Sequence, residues 1–476
     1  MQKINLPDKV QYIIQKLSSH NFEAFAVGGC IRDSLLGRAP QDWDITTNAN
    51  PLQVKQLFPH TFDTGIEHGT VTVVLEHEGF EVTTYRIDGD YEDFRHPKQV
   101  EFTKDLTEDL KRRDFTINAM AYNDSAGLID IFGGISDMEQ KIIRCVGNAD
   151  ERFDEDALRI MRAIRFSAQL DFSIAPDTLG AIASHAGELC KISAERIRTE
   201  LTKLLVSSHP ERLLTASELG LTNVFLPEFD KMLKTAQETP HHIYDVGTHT
   251  IRALMYLAGK DSLKNSQDCM DEKSRISLRY AALLHDVGKP DTKTFGADGR
   301  AHFHRHADIG APIATEILRR LKFDNETINT VSHLVKLHDY RYAPEGKKVS
   351  MRTVRRAINR IGTDYLELLF QLQEADLNAQ NPALLPDKLH QLSEAKTLSK
   401  EILALNQCVL LKDLAVNGSD LIHAGFPSGK TMGEILNALL EHVLEYPEDN
   451  VRENLLALAI SQFADYLDKT QKTDKI

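Results

Sequence analysis

Cysteine is scarce in this chain of 476 residues, and no two cysteines have the spacing of a CxxC pair. A small disulfide scaffold needs a dense set of cysteines, and a thiolate zinc site needs closely spaced ones. The sequence argues against both and fits the reducing cytoplasm. The five scattered cysteines are Cys30, Cys145, Cys190, Cys269 and Cys408.

Long hydrophobic runs are also missing. The chain has no run of about 18 uncharged apolar residues, so we expect no membrane span. The N-terminal residues "MQKINLPDKVQYIIQKL" lack the apolar region and the small-residue cleavage site of a signal peptide. We therefore expect a cytoplasmic protein that has no membrane partner.

An excess of positive charge is absent as well. The formal net charge is −14 at pH 7, which counts against a protein that coats nucleic acid nonspecifically. Basic residues are nevertheless clustered locally, in "KRR" at 111–113, in the arginines of 159–165 and in "ERIRTELTK" at 195–203. An acidic protein with one basic groove remains compatible with RNA as a partner.

Hydrophobic patterning divides the chain into a mixed part and a helical part. As far as residue 148, short strands alternate with helices, such as the strand "FEAFAVGG" before the helix "CIRDSLLG". The segment "RRDFTINAMAY" predicts a helix start. Beyond it, amphipathic helices run to the end, with breaks at the prolines of 234–242 and 379–388. We expect an α+β domain followed by all-α domains, divided at 1–148, 149–235, 236–385 and 386–476.

Two aspartates in "DWDITT" indicate a metal site. Asp42 and Asp44 are two residues apart on a predicted strand, so both side chains leave the same face. Two such carboxylates repel each other unless a cation lies between them, and Mg²⁺ prefers this kind of ligand together with substrate phosphates. A two-metal phosphoryl-transfer site needs such a pair, although surface loops also carry DxD often.

Two further motifs fit a bound nucleotide. Gly28 and Gly29 form a strand-to-helix turn before Arg32, where backbone N–H groups and a guanidinium can hold a phosphate. A plain tight turn is the alternative. Next to Arg113, Asp114 and Asn118 are spaced to share a helix face and to hold a ribose hydroxyl. The alternative there is a structural ion pair.

The segment "RFDEDALRIMRAIRF", residues 152–166, predicts one helix with an apolar side. Along its polar side stand Asp156, Arg159, Arg162 and Arg165, each three residues after the last. Side chains at i and i+3 are neighbours on a helix, so a solvated ion-pair row is one interpretation. A row that binds a nucleotide is the other.

Taken in order, these motifs resemble the class II tRNA nucleotidyltransferases of the bacterial CCA-adding type. They are "GGCIRD", "DWDITT", "YRIDGDYEDFRHP", "KRRDFTINAMAY", "RFDEDALRIMRAIRF" and "ISAERIRTEL". The resemblance implies a polymerase-β-like mixed sheet in the head, a nucleotide-selecting helical neck, and body and tail helices, with tRNA bound by the tail. It also implies template-independent addition of CCA to tRNA from CTP and ATP, with Mg²⁺ as cofactor and no DNA partner.

The resemblance also assigns roles to residues. It implies that Asp42 and Asp44 are the catalytic metal ligands, with Glu81 as a third carboxylate. It implies a triphosphate site at Gly28, Gly29 and Arg32, and ribose recognition by Arg113 and Asp114. The mobile loop implied at "RIDGDYEDFRHP" takes part in switching from C to A addition, and its full length argues against CC-only addition but not against A-only addition.

The nucleotide-choosing motif of that family is EDxxR, which here is Glu155, Asp156 and Arg159. Cytosine and adenine both present an amino donor beside a ring-nitrogen acceptor. Asp156 can accept a hydrogen bond from the amino group, and Arg159 can donate one to the ring nitrogen. Uracil and guanine reverse this pattern, so the pair predicts selection of C and A.

A second set of metal-binding residue types follows in "THTIRAL", "LLHDVGK" and "QEADLNA". His249, His285, Asp286 and Asp376 there suit a divalent transition metal with open positions. The pattern resembles the HD phosphohydrolase domain fused to some bacterial tRNA nucleotidyltransferases, and His306 and His338 are candidates for a second metal. Hydrolysis and a grip on tRNA both remain open as the role of this region.

Three competing functions remain. An A-adding enzyme or a bacterial poly(A) polymerase would share the same head. The chain could be mainly a metal phosphohydrolase with a degenerate nucleotide-binding head, which the intact Asp42 and Asp44 pair disfavours. A noncatalytic RNA-binding protein is disfavoured by the acidic balance and by the absence of aromatic stacking platforms.

Overall fold

The computed structural model describes residues 3–88, 100–263, 270–343 and 347–467. Most of the loop predicted at 86–97 lies outside these residues. The chain forms two compact units. The first comprises Met1–Lys231, Ala258–Cys269 and Ile317–Phe323, and the second comprises Met232–Leu257, Met270–Glu316 and Asp324–Ile476. Within the described ranges, no helix is long and apolar enough to cross a membrane.

The first unit contains a seven-stranded mixed sheet, which confirms the predicted α+β head. The strands of this sheet, together with two strands outside it, are β1 (Ala24–Val27), β2 (Asp44–Thr47), β3 (Thr61–Gly65), β4 (Thr70–Leu75), β5 (Glu78–Thr84), β6 (Arg86–Asp88), β7 (Val100–Phe102), β8 (Met120–Asn123) and β9 (Gly127–Asp130). The order in the sheet is β3-β4-β5-β2-β1-β8-β9, while β6 and β7 form a separate ribbon. Strands β2 and β5 are parallel, and the other neighbours in the sheet are antiparallel.

The centre of the sheet is an apolar core. Strand β1 is buried along its whole length, because it lies between β2 and β8. Phe25 and Val27 of this strand pack with Tyr85, Leu110 and Ala121. The predicted strand-to-helix turn follows β1 directly, so the core fixes the position of the glycine pair.

Helices surround the sheet and continue from it along the chain. As far as residue 233 they are α1 (Asp8–Ser19), α2 (Gly29–Leu35), α3 (Pro51–Leu57), α4 (Leu106–Lys111), α5 (Gly134–Glu139), α6 (Ala149–Glu155), α7 (Leu158–Leu170), α8 (Pro176–His185), α9 (Ala194–Leu205), α10 (Arg212–Glu218), α11 (Thr222–Phe225) and α12 (Pro227–Leu233). The two-residue strands β10 (Ile142–Ile143) and β11 (Ser173–Ile174) pair in parallel.

Two predicted helices differ from the structure. The single helix expected over 152–166 is broken at Asp156 and Ala157, because the Asp156 carboxylate accepts the Leu158 N–H at 3.0 Å and starts a new helix. The helix start expected in "RRDFTINAMAY" is a 3₁₀ turn, Thr116–Asn118, followed by β8. Pairing with β1 and β9 overrides the local helix preference there.

The second unit is almost entirely helical, as predicted for the C-terminal part of the chain. The elements after residue 245 are α13 (Val246–Leu263), α14 (Glu272–Leu284), α15 (Lys289–Thr292), β12 (Thr294–Phe295), β13 (Ala301–His302), α16 (His306–Arg320), α17 (Asn325–Leu337), α18 (Met351–Ile361), α19 (Thr363–Asn378), α20 (Pro386–Ala404), α21 (Gly418–His423), α22 (Lys430–Glu445) and α23 (Arg452–Gln462). A 3₁₀ turn, Pro382–Leu384, separates α19 from α20. This turn confirms the predicted break at 379–388.

Candidate active site

Three carboxylates of the parallel strands β2 and β5 and of the segment before β2 form one electrostatic cluster. Asp44 is the first residue of β2, and Glu81 lies in β5 next to Val82, which pairs with Ile45. Burial raises the pKa of Asp44, and the charge of Asp42 adds to this effect against the opposing charge of Arg113. Burial also raises the pKa of Glu81, together with the charges of Asp44 and Asp42. Carboxylates that repel one another in this way fit a divalent cation such as Mg²⁺.

Asp42 itself departs from the prediction in one respect. The strand begins at Asp44, so Asp42 lies two residues before it rather than on it. The side chain nevertheless acts on both other acids through its charge. The three side chains are therefore coupled electrostatically, although their backbone contexts differ.

The glycine turn brings an arginine to the same end of the sheet. Gly28 has a φ of 84°, a conformation that favours glycine, and a Cβ at this position would lie 3.2 Å from Nη1 of Arg113. Arg32 in α2 donates to Asn118 Oδ1 at 2.6 Å and to the carboxylate of Asp33 at 2.9 Å. The turn is thus adjacent to Arg32, which is predicted to bind phosphate, and to Arg113, which is predicted to recognise ribose.

The residues predicted to bind ribose are in contact, although no α-helix joins them. Asn118 Nδ2 donates to Asp114 Oδ1 at 3.1 Å, and Arg162 Nε donates to Asp114 Oδ2 at 2.8 Å. Burial alone would raise the pKa of Asp114, but Arg162 and Asn118 hold that pKa well below its usual range. Asp114 therefore stays ionised and fixed between two donors.

Asp156 and Arg159 each have partners other than one another. Asp156 Oδ2 accepts from Nη2 of Arg196 at 2.7 Å, while Oδ1 caps α7. Arg159 pairs with Glu155 and donates from Nη2 to the Arg112 carbonyl at 3.0 Å. The predicted single row of side chains is wrong, because the break before α7 separates Asp156 from the helix that carries Arg159.

Arg165 lies inside the pair of helices α7 and α9. Its Nε is 2.9 Å from Oε2 of Glu200, and its guanidinium lies 3.9 Å from the centre of the Phe166 ring. Burial lowers the pKa of Arg165 to about 10. These contacts are those of a packing residue, and the nucleotide-binding role of Arg165 stays a prediction.

Sequence reasoning missed two side chains that hold the others in place. Arg196 stands in the quoted motif "ISAERIRTEL", but its partner Asp156 is 40 positions away and could not be inferred from spacing. Asp109 precedes the "KRR" cluster and is fully buried among its side chains. An aspartate three and four residues before two arginines, the spacing of neighbours on a helix, was the available signal for Asp109.

Comparison with known proteins supports the resemblance of the sequence motifs to nucleotidyltransferases. Residues 24–144 match the family model of the Poly A polymerase head domain, 171–233 that of the RNA and SrmB-binding site of polymerase A, and 303–459 that of tRNA nucleotidyltransferase domain 2. A CCA-adding enzyme from Levilactobacillus brevis is 49% identical over 470 residues, which cover 96% of this chain and 99% of that protein.

The chain belongs to the CCA-adding enzyme family.

Two further relatives show how far the similarity extends. A CCA-adding enzyme from Lactiplantibacillus plantarum is 54% identical over 203 residues, 43% of this chain and about half, 50%, of that protein. The crystal structure of the Bacillus stearothermophilus CCA-adding enzyme in complex with CTP matches with a TM-score of 0.70 and 29% identity, over 96% of this chain and 97% of that one.

In this family member, a second cluster of side chains, of the types that can ligate metal ions, lies in the second unit. One group is His249, His285 and Asp376, and the other is Asp286, His306 and His338; within each group the ligand atoms lie within 4.8 Å of one another. These are the residues that the sequence predicts for the HD site. Asp286 stands between the groups: Oδ2 is 3.2 Å from His285 Nε2, and Oδ1 is 3.4 Å from His306 Nε2.

The imidazoles of this cluster point their Nε2 atoms at one another. His249 Nε2 is 3.3 Å from His285 Nε2, and His306 Nε2 is 3.1 Å from His338 Nε2. The Nδ1 atoms face backbone carbonyls, those of Ala282, Phe303 and Val335 at 2.7 to 2.9 Å and that of Ala379 at 3.3 Å. A carbonyl accepts only from a protonated nitrogen, so in the neutral rings the Nε2 lone pairs converge. Such an arrangement suits metal ligation.

Two basic side chains adjoin this cluster and were not predicted. Lys289 Nζ lies 2.7 Å from Asp286 Oδ2 and donates to Gln237 at 2.8 Å. The His242 ring is 5.0 Å from the His249 ring, centre to centre, and burial lowers the pKa of His242 to about 3. The "VGK" that follows the His–Asp pair was the available signal for Lys289.

Proposed function

We propose that this chain adds C, C and A to the 3′ end of tRNA from CTP and ATP, without a nucleic-acid template. The identity of 49% to a CCA-adding enzyme across 99% of that protein carries the proposal. The three carboxylates support it independently, because nucleotidyl transfer needs a divalent cation beside the triphosphate. The Bacillus stearothermophilus enzyme of 29% identity was solved with CTP.

Asp42, Asp44 and Glu81 would hold the divalent cation, for which Mg²⁺ fits the all-oxygen donor set. The bound ion would supply charge stabilisation at the reacting phosphate. The backbone at Gly28 and Gly29 and the guanidinium of Arg32 orient the triphosphate, and Arg113 beside this turn recognises the ribose. The Asp114 carboxylate, held by Arg162 and Asn118, accepts from a ribose hydroxyl.

Selection of the base is assigned to Asp156, at the helix break, and to Arg159, in the helix that follows it. The Asp156 carboxylate accepts from the amino group of cytosine or adenine, and Arg159 donates to the neighbouring ring nitrogen. Uracil and guanine would face these groups with a carbonyl and a ring N–H. A site left unpaired in this way can reject the wrong base by about 10⁴ in favourable cases. Arg162 and Arg165 follow Arg159 in α7 and are the further nucleotide-binding arginines of this proposal.

The test is incorporation into tRNA that lacks CCA, with each labelled nucleotide supplied separately in the presence of Mg²⁺. We expect CMP addition from CTP alone, AMP addition only after two C residues, and loss of both when Mg²⁺ is chelated. Asp42→Ala should lower both rates by about 10²- to 10³-fold, a loss typical of removing a main electrostatic contributor.

Asp63→Ala is the matched control, because Asp63 is an exposed aspartate of the same sheet that pairs with Lys55. Full activity is expected from this variant. AMP addition without any CMP addition would favour an A-adding enzyme or a poly(A) polymerase instead.

A second candidate function is favoured by the converging imidazoles of the second unit. We propose that this cluster holds one or two divalent transition metals and hydrolyses phosphate esters, with His249, His285 and Asp376 as one ligand group and Asp286, His306 and His338 as the other. His285→Ala should abolish hydrolysis of bis(p-nitrophenyl) phosphate by the manganese-loaded protein and leave CMP addition unchanged. His390→Ala, at an exposed histidine, is the control. Equal hydrolysis by wild type and His285→Ala would refute the assignment.

The proposal also includes the cellular location of the protein and its division into domains. A cytoplasmic location is supported by the cysteines of the described ranges, which are free thiols. The division at 1–148, 149–235, 236–385 and 386–476 into head, neck, metal-binding and tail domains is supported by the change from sheet to helices near residue 149.

A further inference from the structure

A fully buried carboxylate lies behind the proposed active site. Asp109, in α4, has 0% of its surface exposed. Its Oδ1 accepts from Nε and Nη2 of Arg112 at 3.0 and 2.6 Å, and its Oδ2 accepts from the Thr46 hydroxyl at 3.0 Å and from Nη2 of Arg113 at 3.3 Å. A buried charge persists only when it is paired in this way. The partners of Asp109 belong to several functional segments.

The first link joins Asp109 to the strand of the metal-binding acids. Thr46 is two residues after Asp44 on β2, so both side chains leave the same face of the sheet. The Thr46 hydroxyl also lies 3.3 Å from the carbonyl of Thr83, which is two residues after Glu81 on β5. Through this hydroxyl, Asp109 is fixed to the two strands that carry the acids.

The second and third links run through the arginine pair. The Arg113 guanidinium lies at the Gly28 turn, where the triphosphate is proposed to bind. The backbone carbonyl of Arg112 accepts from Nη2 of Arg159, which is proposed to read the base. Asp109 therefore contacts both Arg112 and Arg113. Arg113 lies beside the proposed triphosphate site, and Arg112 contacts the arginine that is proposed to read the base.

We infer that Asp109 is a positioning residue of the transfer reaction, which holds the metal-binding strand, Arg113 and the base-reading Arg159 in one geometry. This inference rests on the proposed function. Transfer needs the reacting phosphate and the base fixed at the same time, and a displacement of about 1 Å can cost about 100-fold in rate. Residues that orient ligands from behind typically change activity by about 10- to 100-fold.

The test is Asp109→Asn, which keeps the shape of the side chain and turns an amide toward two guanidiniums. We expect kcat/KM for both CTP and ATP to fall by about 10- to 100-fold. The preference for CTP over dCTP and over UTP should fall as well, by about 10-fold, because Arg113 and Arg159 lose their common anchor. A merely structural role would not change these two preferences.

The matched control is Asp137→Asn. Asp137 is also a buried head aspartate, which accepts from a threonine hydroxyl at 2.7 Å and from Nε of Arg144 at 3.1 Å. We expect this variant to lose stability without losing either preference. If Asp109→Asn changes the two preferences by less than twofold, as the control does, the inference is wrong.

A second variant keeps the inference testable if Asp109→Asn does not fold. Thr46→Val removes only the hydroxyl that joins Asp109 to β2. We expect kcat to fall by about 10-fold with KM for CTP unchanged, because the arginines keep their anchor while the acids lose theirs. An unchanged kcat would overturn the inference. Absence of CMP addition by the wild-type protein would instead overturn the proposed function, so the two failures are distinguishable.

Discussion

At the scale of single residues, charge pairing decides what each arginine around the site can do. Arg165 is buried against Glu200, and its contacts are internal to the helix pair. Arg162 pairs with Asp114 and keeps that carboxylate ionised, which the proposed contact with a ribose hydroxyl needs. Arginines of one helix, three residues apart, therefore have different roles, and their spacing alone does not separate them.

Arg196 offers a test of base selection. Its guanidinium holds one oxygen of Asp156 at 2.7 Å, and the other oxygen caps α7. Arg196→Ala should let the carboxylate turn, and we expect the ratio of UMP to CMP addition to rise by about 10-fold. Asp156→Ala should blur the choice further. Single-turnover incorporation from each nucleotide measures both effects.

Arg198→Ala is the control for Arg196→Ala, because Arg198 is an arginine of the same helix that contacts the Lys322 carbonyl instead. It should keep the wild-type ratio. An unchanged ratio in Arg196→Ala and Asp156→Ala alike would remove Asp156 from base selection.

At the scale of elements, the strands near the site were predictable and the helix ends were not. The strand patterns predicted β1 and β2, because burial on the sheet dictates such patterns. The break at Asp156 was missed because the residues on both sides favour a helix. An aspartate is a preferred N-cap, and that signal was available. The β8 strand was missed because distant pairing, rather than local preference, decides it.

Gly288 lies in close contact with the first turns of α16. A Cβ on Gly288 would lie 2.2 Å from the His306 carbonyl and 2.7 Å from the Gly310 nitrogen, both in the first turns of α16. Gly288→Ala must push this helix away. We expect a loss of about 1–3 kcal/mol in the free energy of unfolding, measured in urea. Ester hydrolysis should fall more than CMP addition, because His306 moves.

Gly259→Ala provides the comparison. Nothing lies within 4 Å of a Cβ built there, and the residue is exposed in α13. Alanine should raise the free energy of unfolding by about 0.4–1 kcal/mol, since it restricts the unfolded chain. Equal stability changes in both variants would show that the close contact at Gly288 is not rigid.

At the scale of the whole molecule, each candidate site is assembled within one compact unit from distant parts of the chain. His249 Nε2 lies 2.9 Å from Asp376 Oδ1 although they are 127 positions apart. Such residues could be predicted from the sequence, because their types and order fit metal chemistry. The groups that hold them in place could not be predicted. These groups are backbone carbonyls, helix caps and oppositely charged side chains, and they follow no pattern in the order of residues. Asp109 and Arg196 belong to that second group.

The parallel contact between β2 and β5 has a consequence for how the protein is made. Asp44 leaves the ribosome early, yet the neighbouring strand with Glu81 follows only after α3, β3 and β4. The strand β8 that covers the other side of β1 is made later still. Parallel and long-range pairings close slowly. A nascent chain that ends before β8 therefore carries the acids of β2 and β5 without one neighbour of β1, and the proposed active site is among the last features of the head to form.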